Sequence, residues 1–90
     1  MIYNEYQALN QLIEALAGLF SQFDKITLTN YEKYGVFQRS LETTLENIDL
    51  QRNFIPSLKK MEVQDFHKII RANHSQRRFY IYLWLKGVTL

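Results

Sequence analysis

Between Tyr6 and Phe23 the apolar residues Tyr6, Leu9, Leu12, Ile13, Leu16, Ala17, Leu19, Phe20 and Phe23 recur every three or four positions, and Gln7, Asn10, Gln11 and Glu14 occupy the places between them. This is one apolar stripe along about five helical turns. Asn4 and Gln7 have the form of a capping box, in which the Asn oxygen accepts from a free helical amide and the Gln reaches back to the cap's own N–H. A helix is therefore predicted over about 4–23. Such a helix cannot stand alone, because its stripe must be buried against other elements.

The partners are visible further along. Thr29 and Glu32 form a second capping box and open a helix predicted over about 30–49, with Tyr31, Tyr34, Phe37, Leu41, Leu45 and Ile48 facing inward. Gly35 is a tolerated weak point in it, costing about 1 kcal/mol relative to alanine. The intervening Asp24–Leu28 stretch reads as a connector with some strand-like alternation. The helical pattern is lost at 50–55, and Pro56 biases Ile55 away from helical angles. Pro56 suits the first turn of a short helix carrying Leu58 and Met61. Val63, Phe66, Ile69 and Ile70 mark a further stripe, separate from that short helix or continuous with it over about 57–71. Asn73 or Ser75 then punctuates the chain.

The last segment is the ambiguous one. Phe79-Tyr80-Ile81-Tyr82-Leu83-Trp84-Leu85 is a run of seven apolar residues following Arg77 and Arg78. As a strand it would sort Tyr80, Tyr82 and Trp84 onto one face. Only Ile26-Thr27-Leu28 offers a partner strand, and a two-stranded sheet is marginal. As a helix over about 76–86 it ends at Gly87, a residue suited to a left-handed helix stop. The fold expected is thus all-α, a bundle of four or five helices forming a single helical domain over 1–90. The alternative is an α+β fold with a short C-terminal strand at 79–85.

A 90-residue chain buries only about 60–65% of its unfolded surface, so it gains from a metal, a disulfide or self-association. There is no cysteine, and only His67 and His74 could give nitrogen ligands, which leaves self-association. The N-terminus lacks signal-peptide features, and seven apolar residues fall far short of the roughly 20 needed to span a bilayer. A cytoplasmic protein without a membrane partner is expected.

Net charge is +2, but unevenly spread: residues 1–50 carry three basic against seven acidic side chains, net −4, and residues 51–90 carry eight against two, net +6. Either the halves attract each other, within a fold or between subunits, or the basic half faces an anion.

No catalytic constellation or cofactor motif is present. His67 and His74 lie seven apart, too far for one ion on a continuous helix, and read as exposed or rim residues. Arg71 and His74 resemble a ribonuclease pair only by spacing, and Glu42 and Glu46 read as a solvated acidic face rather than half of a carboxylate site. The function expected is therefore non-enzymatic: a protein–protein interaction module, a small regulator or inhibitor of the kind carried by phages and mobile elements, forming a homodimer or higher oligomer. Tyr80, Tyr82 and Trp84 are expected at the contact, with Arg77 and Arg78 as its rim, because aromatic and arginine side chains dominate binding hot spots. The alternative is a nucleic-acid-binding regulator using Lys59, Lys60, Lys68, Arg71, Arg77 and Arg78. A helix-turn-helix can be drawn over Val63–Trp84, but its reading helix would be mostly apolar. A small hydrolase or nuclease is the third reading.

Overall fold

Four helices appear in the computed structural model, which describes residues 5–47 and 60–90: α1 (Glu5–Asp24), α2 (Asn30–Asn47), α3 (Val63–Arg71) and α4 (His74–Leu85). The chain is all-α, with no strand among the described residues, so the C-terminal strand alternative does not hold. The principal contacts run α1 to α2, α2 to α3, α3 to α4 and α4 back to α1, closing a ring around one core.

Local chemistry sets the helix ends. The Thr29 hydroxyl accepts from Glu32 N–H at 3.2 Å while the Glu32 carboxylate accepts from Thr29 N–H at 3.2 Å, the reciprocal capping box the sequence predicts. Asp65 accepts from Glu62 N–H at 3.3 Å at the start of α3, and Asn73 accepts from Gln76 N–H at 2.9 Å at the start of α4. Gly87 has φ +78°, and Val88 N–H donates to Leu83 C=O while Gly87 N–H donates to Trp84 C=O. Those two bonds are a Schellman stop, which is why a glycine sits there. The Asn4 cap lies outside the described residues, as do Pro56 and Leu58. Residues 60–62 are not helical, so α3 begins at Val63 and no helix over 57–71 reaches through Met61.

The core gathers on rings from three helices. Phe20 of α1, Phe37 of α2 and Phe66 of α3 are fully buried, with centroids 4.5 Å (20–37), 5.0 Å (37–66) and 5.6 Å (20–66) apart. Leu12, Leu16, Met61, Ile69 and Ile81 complete the fully buried set, and each such side chain contributes about 1.5–3 kcal/mol. Met61 is tied to α2, whose Tyr34 hydroxyl and Gln38 amide both donate to its carbonyl. Among the described stripe residues Tyr6 and Tyr31 are exposed, at the starts of their stripes, while Leu45 and Ile48 lie outside the residues whose side chains are described. Ile26 and Leu28 lie in the α1–α2 connector and are also exposed.

Candidate functional site

Helical geometry divides the C-terminal run differently from the expected contact. Arg77, Ile81 and Trp84, spaced four and three apart, point into the core, and Tyr80 and Leu85 pack partly against it. Phe79 is 57% exposed and Tyr82 is 37% exposed on the outer side of the same helix. A helix turns about 100° per residue, so Tyr82 stands on the opposite side from both Tyr80 and Trp84. The shared face of Tyr80, Tyr82 and Trp84 was strand geometry. In the helix, Trp84 is a core residue, 8% exposed, and Phe79 takes the outward place beside Tyr82.

The two arginines before the run are engaged within the chain. Arg77, 4% exposed, directs its fork at Asp24, with Nη1 and Nη2 at 2.7 and 3.1 Å from the two carboxylate oxygens. The same guanidinium donates to Ile70 C=O at 2.9 Å and to Ile69 C=O at 3.2 Å, the latter also accepting from Ala72 N–H at the end of α3, and lies 5.7 Å from the Phe20 ring centroid. Arg78 makes a bidentate pair with Glu14 on the surface, at 2.8 and 3.0 Å. Hydrogen bonding from Arg78, aided by its charge, holds the Glu14 carboxyl below the ordinary carboxylate value. Part of the acid–base split between the halves is thus closed inside one subunit. Arg77 is taken up inside the fold, whereas Arg78 stays on the surface with its partner Glu14.

Other cations are not consumed in this way. An open cleft of about 520 Å³ lies where α3 meets α4, lined by Gln64, His67, Lys68 and Arg71 from α3 and by Gln76 and Tyr80 from α4. The Lys68 ammonium stands 5.7 Å from the Tyr80 ring centroid, a cation–π arrangement, and the Tyr80 and Phe79 centroids are 6.3 Å apart. Neither Lys68 nor Arg71 has a carboxylate partner among the described residues. The His67 ring meets Tyr31 edge-on at 5.2 Å, and its Nε2 is buried without a hydrogen-bond partner among the described residues. Lys86 lies 5.9 Å from the Tyr82 centroid. Lys60 is exposed just before α3, His74 and Glu42 are exposed, and Lys59 lies outside the described residues.

The surface so formed runs along α4 from the cleft, past Phe79, to Tyr82 and Lys86. Sequence reasoning missed Gln64, Gln76 and Phe79. The first two give no signal without knowing which helices meet, whereas Phe79 could be placed outside by applying the helical period to a run that contains Arg77. Among the described residues no group of three or more His, Cys, Asp or Glu could hold a metal ion, and no helix is long and apolar enough to cross a membrane. No protein-family model, curated protein or solved structure matches the chain. What fold and surface define is a class: a small four-helix protein with one aromatic and cationic helix face.

Proposed function

We propose that this protein works by binding another protein, as a small non-enzymatic regulator or inhibitor, through the outer face of α4. The observation that carries this reading is the exposure of Phe79 and Tyr82 on a helix whose opposite edge is anchored in the core by Ile81 and Trp84. A rigid helix presenting two aromatic side chains offers binding area at little ordering cost. Burying both rings would contribute about 1.5–3 kcal/mol each before association costs.

The electrostatics favour a different protein over a second copy at this face. A two-fold contact sets each patch against its own counterpart, which would bring Lys68, Arg71 and Lys86 of one subunit towards the same residues of the other. Like charges so placed oppose association. The test is photo-crosslinking in cells producing the protein with a benzophenone side chain at position 79, 82 or, as a control on another exposed apolar position, 36. Adducts at 79 and 82 but not at 36, of a mass differing from the homodimer, are expected. Equal labelling at 36, or none at 79 and 82, would refute the assignment of the face.

A further inference from the structure

We infer that the partner engages α4 with an acidic amphipathic segment, its carboxylates seated in the α3–α4 cleft between Lys68 and Arg71 and its apolar side chains on Phe79 and Tyr82. This rests on the reading of the α4 face given above and adds the chemistry of what binds there.

The chain separates its cations into two groups. Arg77 and Arg78 are paired with Asp24 and Glu14, while Lys68 and Arg71 line a cleft without a carboxylate among the described residues. The Gln64 and Gln76 amides on the same walls supply neutral donors, and Tyr80 holds the Lys68 ammonium at its ring face. Such a site takes an oxyanion, and an arginine beside a lysine suits a carboxylate able to accept from both. The apolar part of the surface begins one step away: Gln76 and Tyr80 border the cleft, and Phe79 touches the Tyr80 side. From Gln76 to Lys86 is ten residues of helix, about 15 Å. An occupant of matching length must be anionic at the cleft and apolar where it meets Phe79 and Tyr82, and Lys86 at the far end suits a second acid, which describes a helical segment of about ten residues carrying Asp or Glu next to Leu or Phe.

Nucleic acid suits the surface less well. Lys68, Arg71 and Lys86 would neutralise only about three phosphates, too few for strong binding at moderate salt. Of the three rings, Tyr80 and Tyr82 already carry Lys68 and Lys86 on one face at 5.7 and 5.9 Å, which leaves Phe79 as the one ring without a cation for a base to stack on.

The experiment is selection of binders from a display library of random 14-residue helical peptides by the whole chain, followed by fluorescence anisotropy with the recovered peptides and with a single-stranded 20-nucleotide DNA and RNA. Recovered peptides are expected to be enriched in Asp and Glu beside large apolar residues. Their affinity should fall at least tenfold in Lys68→Gln/Arg71→Gln and at least tenfold in Phe79→Ser/Tyr82→Ser, with circular dichroism unchanged in both variants. Enrichment of uncharged apolar peptides that are lost in Phe79→Ser/Tyr82→Ser but indifferent to Lys68→Gln/Arg71→Gln would overturn the acidic partner and leave the α4 face standing. Peptides indifferent to both variants would overturn the face itself. Oligonucleotide binding tighter than any peptide, lost in Lys68→Gln/Arg71→Gln, would overturn the acidic segment in favour of a nucleic acid.

Discussion

Arg77 offers the sharpest test of how this small fold is held. It is a buried charge joining three helices: its fork meets Asp24 at the end of α1, it covers the Ile69 and Ile70 carbonyls at the end of α3, and it belongs to α4. Truncation to alanine removes these charge-assisted bonds, each worth about 1.5–3 kcal/mol where buried, and the packing of the stem and guanidinium against Phe20. Removing one partner of a buried ion pair costs about 3–5 kcal/mol. Asp24 is 35% exposed and is hydrated once released, which places Arg77→Ala at the lower end, about 3–4 kcal/mol. Asp24→Ala leaves the guanidinium its two carbonyl partners and should cost less, about 2 kcal/mol. A domain of 90 residues has about 5–13 kcal/mol of stability in total, so Arg77→Ala would remove roughly a quarter or more of it. Urea unfolding followed by circular dichroism and by Trp84 fluorescence measures both, and the double variant gives the coupling, expected at about 1.5 kcal/mol or more. A cost below about 1 kcal/mol for Arg77→Ala, or additive single effects, would mean that the guanidinium is solvated and that the packing of α4 on α1 and α3 rests on apolar contacts alone.

Gly87→Ala should destabilise by about 1–2 kcal/mol, since φ is +78° and no atom lies close enough to clash, whereas Gly35→Ala, mid-helix with open space around it, should stabilise by up to about 1 kcal/mol; urea midpoints give both signs. The single tryptophan should emit at short wavelength in the folded protein and Trp84→Ala should cost about 3–5 kcal/mol, while Phe79→Ser, on the other side of the helix, should stay within about 0.5 kcal/mol of wild type. Glu14 and Glu32 have folded-state values lowered by hydrogen bonds from Arg78 and Thr29 respectively, so their contribution is present above about pH 4.5 and is lost as pH falls through the lowered values. Urea midpoints should therefore decline from pH 5 towards pH 3, with a shallower decline in Glu14→Gln.

The helices were legible because their signals are local. The Thr29–Glu32 box and the glycine stop at 87 each depend on a few neighbouring residues, Asn73 proves to be the cap where Asn73 and Ser75 were both open, and the Leu12–Phe23 stripe repeats at the period of the structure it forms. What was not legible is where a stripe ends in space. Tyr6 and Tyr31 continue their stripes in sequence, yet each stands at the start of its helix, beyond the buried Phe20–Phe37–Phe66 cluster, and both rings reach solvent. The contact residues were misgrouped for a different reason: Tyr80, Tyr82 and Trp84 share a face only at a period of two, and applying 3.6 to the same run puts Arg77, Ile81 and Trp84 together. An arginine on a core stripe then demands an acid from elsewhere, and the acidic first half contained it in Asp24.

Adjacent residues of α4 thus carry separable tasks. Arg77, Ile81 and Trp84 tie the helix to the core, while Phe79 and Tyr82 lie outside the core cluster and are exposed. The cleft behaves likewise: Phe66 and Ile69 of α3 are buried, but Lys68 and Arg71 on the same helix contribute no ion pair among the described residues. Substitutions at 77, 81 and 84 should therefore shift unfolding midpoints, and those at 68, 71, 79 and 82 should leave the midpoints unchanged and alter binding alone. If Lys68→Gln/Arg71→Gln and Phe79→Ser/Tyr82→Ser instead lowered the unfolding midpoint as far as Trp84→Ala does, these residues would be part of the fold's own support and the case for a docking face would fall with that result.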